Sequence, residues 1–211
     1  MNARAVRRRL VVSFAAIAVA SLGTLARAQE PDPLVKLDQP SRFAVQLMID
    51  SAQEAGIPSH PLVSVAQHGL QLKADGRRIV DAVRNELREL RTAKGVLGGV
   101  SDEELEAAAA VLQAGAKPAQ LAAFRVRQKG RSDLEAFIDW ADLITRGVSS
   151  EDASSAIIKL WQDGADDATF HSLWSNVQSD ISSGLNPGAA LQNRIRETPG
   201  RAPPKIQPPE G

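Results

Sequence analysis

Cysteine is missing from all 211 residues. That excludes disulfides, thiolate metal sites, a cysteine nucleophile and a lipid-modified cysteine, so any fold rests on its core alone. Tyrosine is missing as well, and aromatic residues make up only 4% of the chain. Ala, Leu, Val and Ile therefore have to fill most of the interior. Polar and apolar residues do not alternate at period two, and β-branched runs are lacking beyond the N-terminal segment, which argues against a sheet. The strings G-x-S-x-G, H-E-x-x-H, G-x-x-x-x-G-K-[ST] and G-x-G-x-x-G do not occur. The nucleophile elbow, the zinc helix, the P-loop and the dinucleotide turn thus have no local framework.

What is present begins with an export signal. Arg4, Arg7, Arg8 and Arg9 precede an apolar run from Leu10 to Leu22, which relaxes into Ala26-Arg27-Ala28. A positive segment, an apolar segment and a small-x-small site together predict a cleavable signal peptide over 1–28, with Gln29 as the mature start. The run is shorter than the roughly 20 residues of a bilayer span, so no transmembrane segment is expected after cleavage. Periplasmic and secreted destinations both fit, and Arg8-Arg9 leaves the Sec and twin-arginine routes open. The formal charge of the whole chain is zero, but the leader holds five Arg and no acid. Its removal leaves 20 basic against 25 acidic residues. An acidic mature chain is poorly suited to nucleic acid, whose binding is driven by clustered Lys and Arg.

Both flanks of the remaining chain read as tethers. Residues 29–40 contain Pro31, Pro33 and Pro40 without periodicity, and residues 197–211 contain five prolines that cannot continue a helix. Between them, Gly56, Gly76, Gly99, Gly115, Gly130, Gly147, Gly164 and Gly184 recur every 15–23 residues. An apolar residue commonly follows the glycine, as Ile57, Val100, Ala116, Val148, Ala165 and Leu185 do. A capping residue is frequent just beyond: Ser101, Ser132, Ser149, Asp166 or Asn186. Glycine ends a helix in the left-handed conformation, the apolar residue packs back on the last turn, and the cap opens the next helix. Ser101 with Glu104 forms an S-x-x-E capping box.

The segments between these punctuation marks have helical stripes. Val80, Val83, Leu87 and Leu90 form one. Leu134, Phe137, Ile138, Ala141 and Ile144 form another, opposite Glu135, Asp139, Asp142 and Arg146. Phe170, Leu173, Trp174, Val177 and Ile181 form a third. The pattern predicts a single all-α domain over 41–196, with about nine short helices and a first one near 42–55. Two glycine intervals approximate one helix-pair unit, so a short α-solenoid-like array and an irregular orthogonal bundle are both compatible.

Three histidines are present, and His60 and His68 stand eight apart, outside the i, i+4 spacing of two metal ligands on one helix. His60, His68 and His171 are read as surface residues, with no metal or cofactor expected. Glu104, Glu151, Asp152, Asp163 and Asp167 belong to acidic clusters that mostly open helices. Dipole complementarity explains such placement, while a carboxylate pair in one cleft would suit a cell-wall polysaccharide hydrolase. Trp140 and Trp174 lie in or beside apolar stripes; Trp161 is the one expected at an interface if any indole is exposed. Arg77, Arg84, Arg88 and Arg91 share a helix face, and Arg125, Arg127, Lys129 and Arg131 end another; either could meet an anionic partner. The leading expectation is a non-enzymatic, exported, macromolecule-binding or scaffolding protein of the bacterial envelope. Its partner would be another envelope protein or an anionic wall polymer, with Trp161, Arg84, Arg88 and Arg91 as candidate contacts. The wall hydrolase is the alternative.

Overall fold

A computed structural model describes residues 34–125 and 133–197. The signal peptide, all but the first residue of the C-terminal tail, and Arg127, Lys129, Gly130, Arg131 and Ser132 lie outside the described residues. The described chain is all-helical, without strands. In order it forms α1 (Gln39–Glu54), α2 (His60–Gln71), α3 (Gly76–Leu97), α4 (Asp102–Gln113), α5 (Pro118–Arg125), α6 (Leu134–Thr145), α7 (Ser150–Gln162), α8 (Asp167–Ser182) and α9 (Pro187–Glu197).

Helix α1 begins three residues earlier than the periodicity indicated. Asp38 caps it by accepting from the Ser41 N–H at 3.0 Å, and Pro40 sits in the first turn, where a missing N–H costs nothing. Leu34 and Leu37, placed by composition in a tether, are buried. Apolar contact therefore draws the chain onto the core before the helix starts.

The turns share one hydrogen-bond scheme. After α7, the Gly164 N–H donates to Trp161 O and the Ala165 N–H to Leu160 O, the paired 5→2 and 6→1 bonds of a Schellman ending. The same pair of bonds recurs at Gly56, Gly115, Gly147 and Gly184, all at positive φ. The following Ile57, Ala116, Val148 and Ala165 are buried against the helices they terminate. Ser101, Ser149 and Asp166 then cap α4, α7 and α8, and the Ser101–Glu104 capping box is complete in both directions.

Two of the expected corners are different. Gly76 does not end α2 but opens α3; the left-handed position after α2 is Lys73, at φ 55°, with Lys73 and Ala74 making the same two bonds. Gly76 is needed instead for close approach, since a Cβ there would overlap Asp38 Oδ2 and Ser41 Oγ at the start of α1. After α3 it is Gly98, not Gly99, that takes positive φ. The guanidinium of Arg125 reaches this corner and donates to Val96 O at 2.6 Å.

The principal packing joins helices one or two apart in chain order: α3 against α1, α2, α4 and α5; α6 against α4, α7 and α8; α9 against α7 and α8. Neighbour-only packing is the arrangement of a stacked array. Helices α1 and α3 run parallel, since Asp38 and Ser41 meet Gly76, Ser51 meets Arg91, and Ala55 and Gly56 meet Lys94. The α5–α8 region is filled by aromatics: Phe124 lies 5.2 Å from Phe137, 6.0 Å from Trp140 and 5.5 Å from Trp161 between ring centroids. Arg194 of α9 is held to Asp180 of α8 by two 2.7 Å hydrogen bonds.

Candidate interaction surface

Trp161, the indole favoured for an interface if any were exposed, is buried. Its ring stacks between Phe124 and Phe170, with the Phe170 centroid 6.2 Å away. Turned inward, the indole carries a large apolar area from α7 to the rings of α5 and α8.

Most of the arginine face of α3 is already engaged. Arg84 pairs with Asp81 at 2.5 Å, and Arg88 pairs with Glu89 at 2.9 Å and donates to Asn85 at 3.1 Å. Arg91 donates to Ser51 Oγ at 2.6 Å, tying α3 to α1. Arg84 and Arg88 thus have acidic neighbours, Arg91 keeps its charge while bonding a neutral hydroxyl, and Arg77 is exposed without an ion pair among the described residues.

The acidic residues are likewise occupied by helix openings and ends. Glu104 Oε2 accepts from the Ser101 N–H, and its Oε1 accepts from the Asp133 N–H at 3.0 Å. One carboxylate thus serves the N-termini of α4 and α6 together. Asp152 accepts from the Ser149 hydroxyl at 2.7 Å, and Asp163 pairs with Lys159. Glu151 and Asp167 are exposed in the first turns of α7 and α8. Among the described residues, three or more His, Cys, Asp or Glu are nowhere grouped to hold a metal ion. His60, His68 and His171 are all exposed.

Three raised carboxyls, Asp139, Glu86 and Glu106, were not anticipated. Asp139, placed by periodicity on the polar face of α6, is 3% exposed, while Ile138 from the expected apolar face is 41% exposed. The buried arc of α6 runs through Ala136, Asp139, Trp140 and Leu143 because α4, α7 and α8 pack on that side. Burial, reinforced by Glu135 and Asp142, pushes the Asp139 carboxyl up to about 7. Among the described residues, its Oδ2 and the neighbouring Trp140 Nε1 have no hydrogen-bond partner. Glu86 on α3 is also raised, by burial first and then by Glu106 and Glu89, against a hydrogen bond from Gln113. A carboxyl as enclosed as Asp139 offers no route to a substrate, so these are features of the core and of a helix seam.

What remains open is apolar. Of the six large apolar side chains exposed among the described residues, Val35, Phe43, Leu47 and Leu72 lie before or on α1 and at the end of α2. Phe43 is 65% and Leu47 53% exposed. They stand four residues apart on the outer face of α1, opposite the buried Val45, Ile49 and Ala52. An open depression of about 580 Å³ lies beside them, lined by Gln39, Pro40, Arg42, Phe43 and Gln46. Sequence patterning missed this face because the apolar residues of α1, at 43, 44, 45, 47, 48 and 49, cover roughly 240° of its circumference at about 100° per residue. The useful signal was the excess: a helix with one buried side needs a stripe about 100° wide, less than half of that. Comparison of the chain with protein-family models, with curated proteins and with solved structures gives no match.

Among the described residues, no helix is long and apolar enough to cross a membrane.

Proposed function

We propose that this is an exported, non-catalytic helical protein of the bacterial envelope that docks another protein through the outer face of α1. The observation that carries the reading is the exposed pair Phe43 and Leu47 on a helix whose opposite side is fully packed. An aromatic side chain left in water on a rigid element is a common anchor of protein interfaces, and an adjoining aliphatic one widens the apolar patch. Most of the arginines and carboxylates that would favour a wall polymer or a hydrolase already make helix caps, ion pairs or inter-helix ties, Arg77, Glu151 and Asp167 excepted, whereas the Phe43–Leu47 face is left in water. Export rests on the tripartite leader at 1–28, and periplasmic and secreted locations both agree with it.

The test is photo-crosslinking in cells. A photoreactive phenylalanine analogue at position 43 is expected to give a discrete protein adduct in the envelope or secreted fraction. The same analogue at the exposed position 171 on α8 is expected to give none. Absence of any adduct from position 43, with the protein folded and exported, removes the reading.

A further inference from the structure

Two neighbouring turns carry the same outward pair. In the turn before α1, the Leu37 N–H donates to Leu34 O at 3.0 Å, and both leucines are buried. Val35 and Lys36 are therefore its tip, and both are exposed, Val35 by 57%. In the turn after α2, the N–H groups of Lys73 and Ala74 close on Leu70 O and Gly69 O. Leu72 and Lys73 form the tip there, exposed in the same way, Leu72 by 68%. This turn lies beside the α1 opening, because Gly76 abuts Asp38 and Ser41. An aliphatic side chain followed by a lysine thus projects twice from one end of the α1–α3 layer.

The same end is cationic. Arg77 and Arg78 open α3, are exposed, and lean toward this end, as side chains of a first helical turn do. Among the described residues, Lys36, Lys73 and Arg77 make no ion pair. The acids here, Asp38 and Asp75, are turned into the openings of α1 and α3, where they accept from the Ser41 and Arg78 N–H groups. Asp75 also lies 3.5 Å from Arg78 Nε, and Asp81, the next acid along α3, pairs with Arg84. Asp50 and Glu54 stand about 18–24 Å further along α1, beyond the roughly 8 Å over which charges act at physiological ionic strength. Lys73 itself holds φ 55°, whereas every other described residue at positive φ is glycine. Strain kept for a lysine, where glycine would relieve it, points to a contact made by that side chain.

We propose that this end of the layer docks on a bilayer surface bearing anionic headgroups. Val35 and Leu72 enter the interface, and Lys36, Lys73, Arg77 and Arg78 meet the phosphates. Membrane-surface binding grows with both buried apolar area and attraction to anionic lipid, and the two turn tips supply one of each. A soluble polyanion would engage the cations but leave Val35 and Leu72 in water. The site is separate from the Phe43–Leu47 face and goes beyond the protein-docking reading of it.

Flotation with lipid vesicles tests it, using the full chain expressed in an export-competent bacterium and purified in the form the cell yields. Wild type is expected to float with vesicles of phosphatidylcholine and phosphatidylglycerol in equal parts, and to stay behind with phosphatidylcholine alone. Lys36→Glu with Arg77→Glu should bind the mixed vesicles more weakly by about tenfold or more. Val35→Ser with Leu72→Ser should lose about threefold or more at unchanged charge. Lys73→Gly should bind about fivefold more weakly although its fold is at least as stable. All the substituted positions are exposed, and unchanged circular dichroism checks the fold. A wild-type chain that ignores the mixed vesicles, or floats equally with phosphatidylcholine alone, overturns the proposal. So does undiminished binding by the charge-reversed chain or by Lys73→Gly. Undiminished binding by the Val35 and Leu72 variant would make the ligand a polyanion of any kind and overturns the bilayer. A position-43 adduct bears on the protein-docking reading alone, so the two can fail separately.

Discussion

The layer α1–α3 and the region α5–α8 use aromatic side chains in opposite ways. In α5–α8, Phe124, Phe137, Trp140, Trp161 and Phe170 are all buried, and Trp174 is half-buried beneath the Arg146 guanidinium, 5.4 Å from its ring. In α1–α3 the sole aromatic is Phe43, and it points to solvent. The N-terminal layer closes its interior with Leu, Val, Ile and Ala, and ties α1 to α3 from outside through Arg91 and Lys94. An aromatic that the core can do without, held outward on a capped helix, contributes little to folding and is available for contact.

The widest separation between the two regions should appear on truncating their aromatics. Phe124→Ala removes the ring that touches Phe137, Trp140 and Trp161, and is expected to cost about 3–5 kcal/mol of unfolding free energy. Phe43→Ala should change the stability of the monomer by about 0.5 kcal/mol or less. Urea denaturation at low protein concentration measures both. A large loss at Phe43 would mean that this ring belongs to the fold and would abolish the contrast.

The α6 region also carries a fully enclosed carboxyl, where the N-terminal layer has only the half-buried Glu86. Asp139 has an ordinary value of 3.8 and is raised to about 7 in the folded chain. Between those values the folded state holds a proton that the unfolded state has released. Stability therefore falls as pH rises across this window and levels off above it. Asp139→Asn should match wild type below about pH 4 and exceed it at pH 8, by at most about 4 kcal/mol. Equal denaturation midpoints for the two proteins at pH 4 and pH 8 would show that the carboxyl finds water or a partner.

That burial was hidden from the sequence for a definite reason. Periodicity on α6 marked a face through Phe137, Ile138 and Ile144, which suits a helix with one covered side. Helix α6 is instead packed by α4, α7 and α8, and its buried arc turns toward Asp139 and away from Ile138. Neighbours remote in sequence decide how a helix is rotated about its axis. Helix ends are local, which is why Ser101, Ser149 and Asp166 could be read as caps from composition alone. The exposed apolar face of α1 was illegible for the opposite reason: Phe43 and Leu47 look like core residues until Val45 and Ile49 are seen to have taken the interior.

Glycines in the N-terminal layer should respond to substitution in opposite directions. Gly76→Ala sets a methyl against Asp38 Oδ2 and Ser41 Oγ where α1 and α3 start together, at an expected cost of about 1–3 kcal/mol. Gly95→Ala, in the same helix with open space around the new Cβ, should gain about 0.5–1 kcal/mol from helix propensity and lost unfolded-state freedom. Thermal melts of the two variants should therefore move apart from wild type. A shift of Gly76→Ala in the same direction as Gly95→Ala would show that the α1–α3 contact is loose.

The finest difference lies in the corners themselves. In α5–α8 the Schellman position is glycine at both 147 and 164, whereas α2 ends on Lys73 at φ 55°. A side chain there brings Cβ toward the backbone carbonyl, a strain of about 1 kcal/mol that glycine lacks. Lys73 is exposed, so Lys73→Gly surrenders no packing and should stabilise the chain by somewhat less than that strain, because glycine also loosens the unfolded state. Gly164→Ala is the mirror experiment: nothing lies within 4 Å of the new methyl, so only backbone conformation resists it, at about 1 kcal/mol. Opposite signs and similar sizes in denaturant midpoints are the expected result. If Lys73→Gly destabilised the chain, the lysine side chain would be holding the α2–α3 corner by a contact of its own, and the two regions would differ in how their turns are built as well as in where their aromatics point.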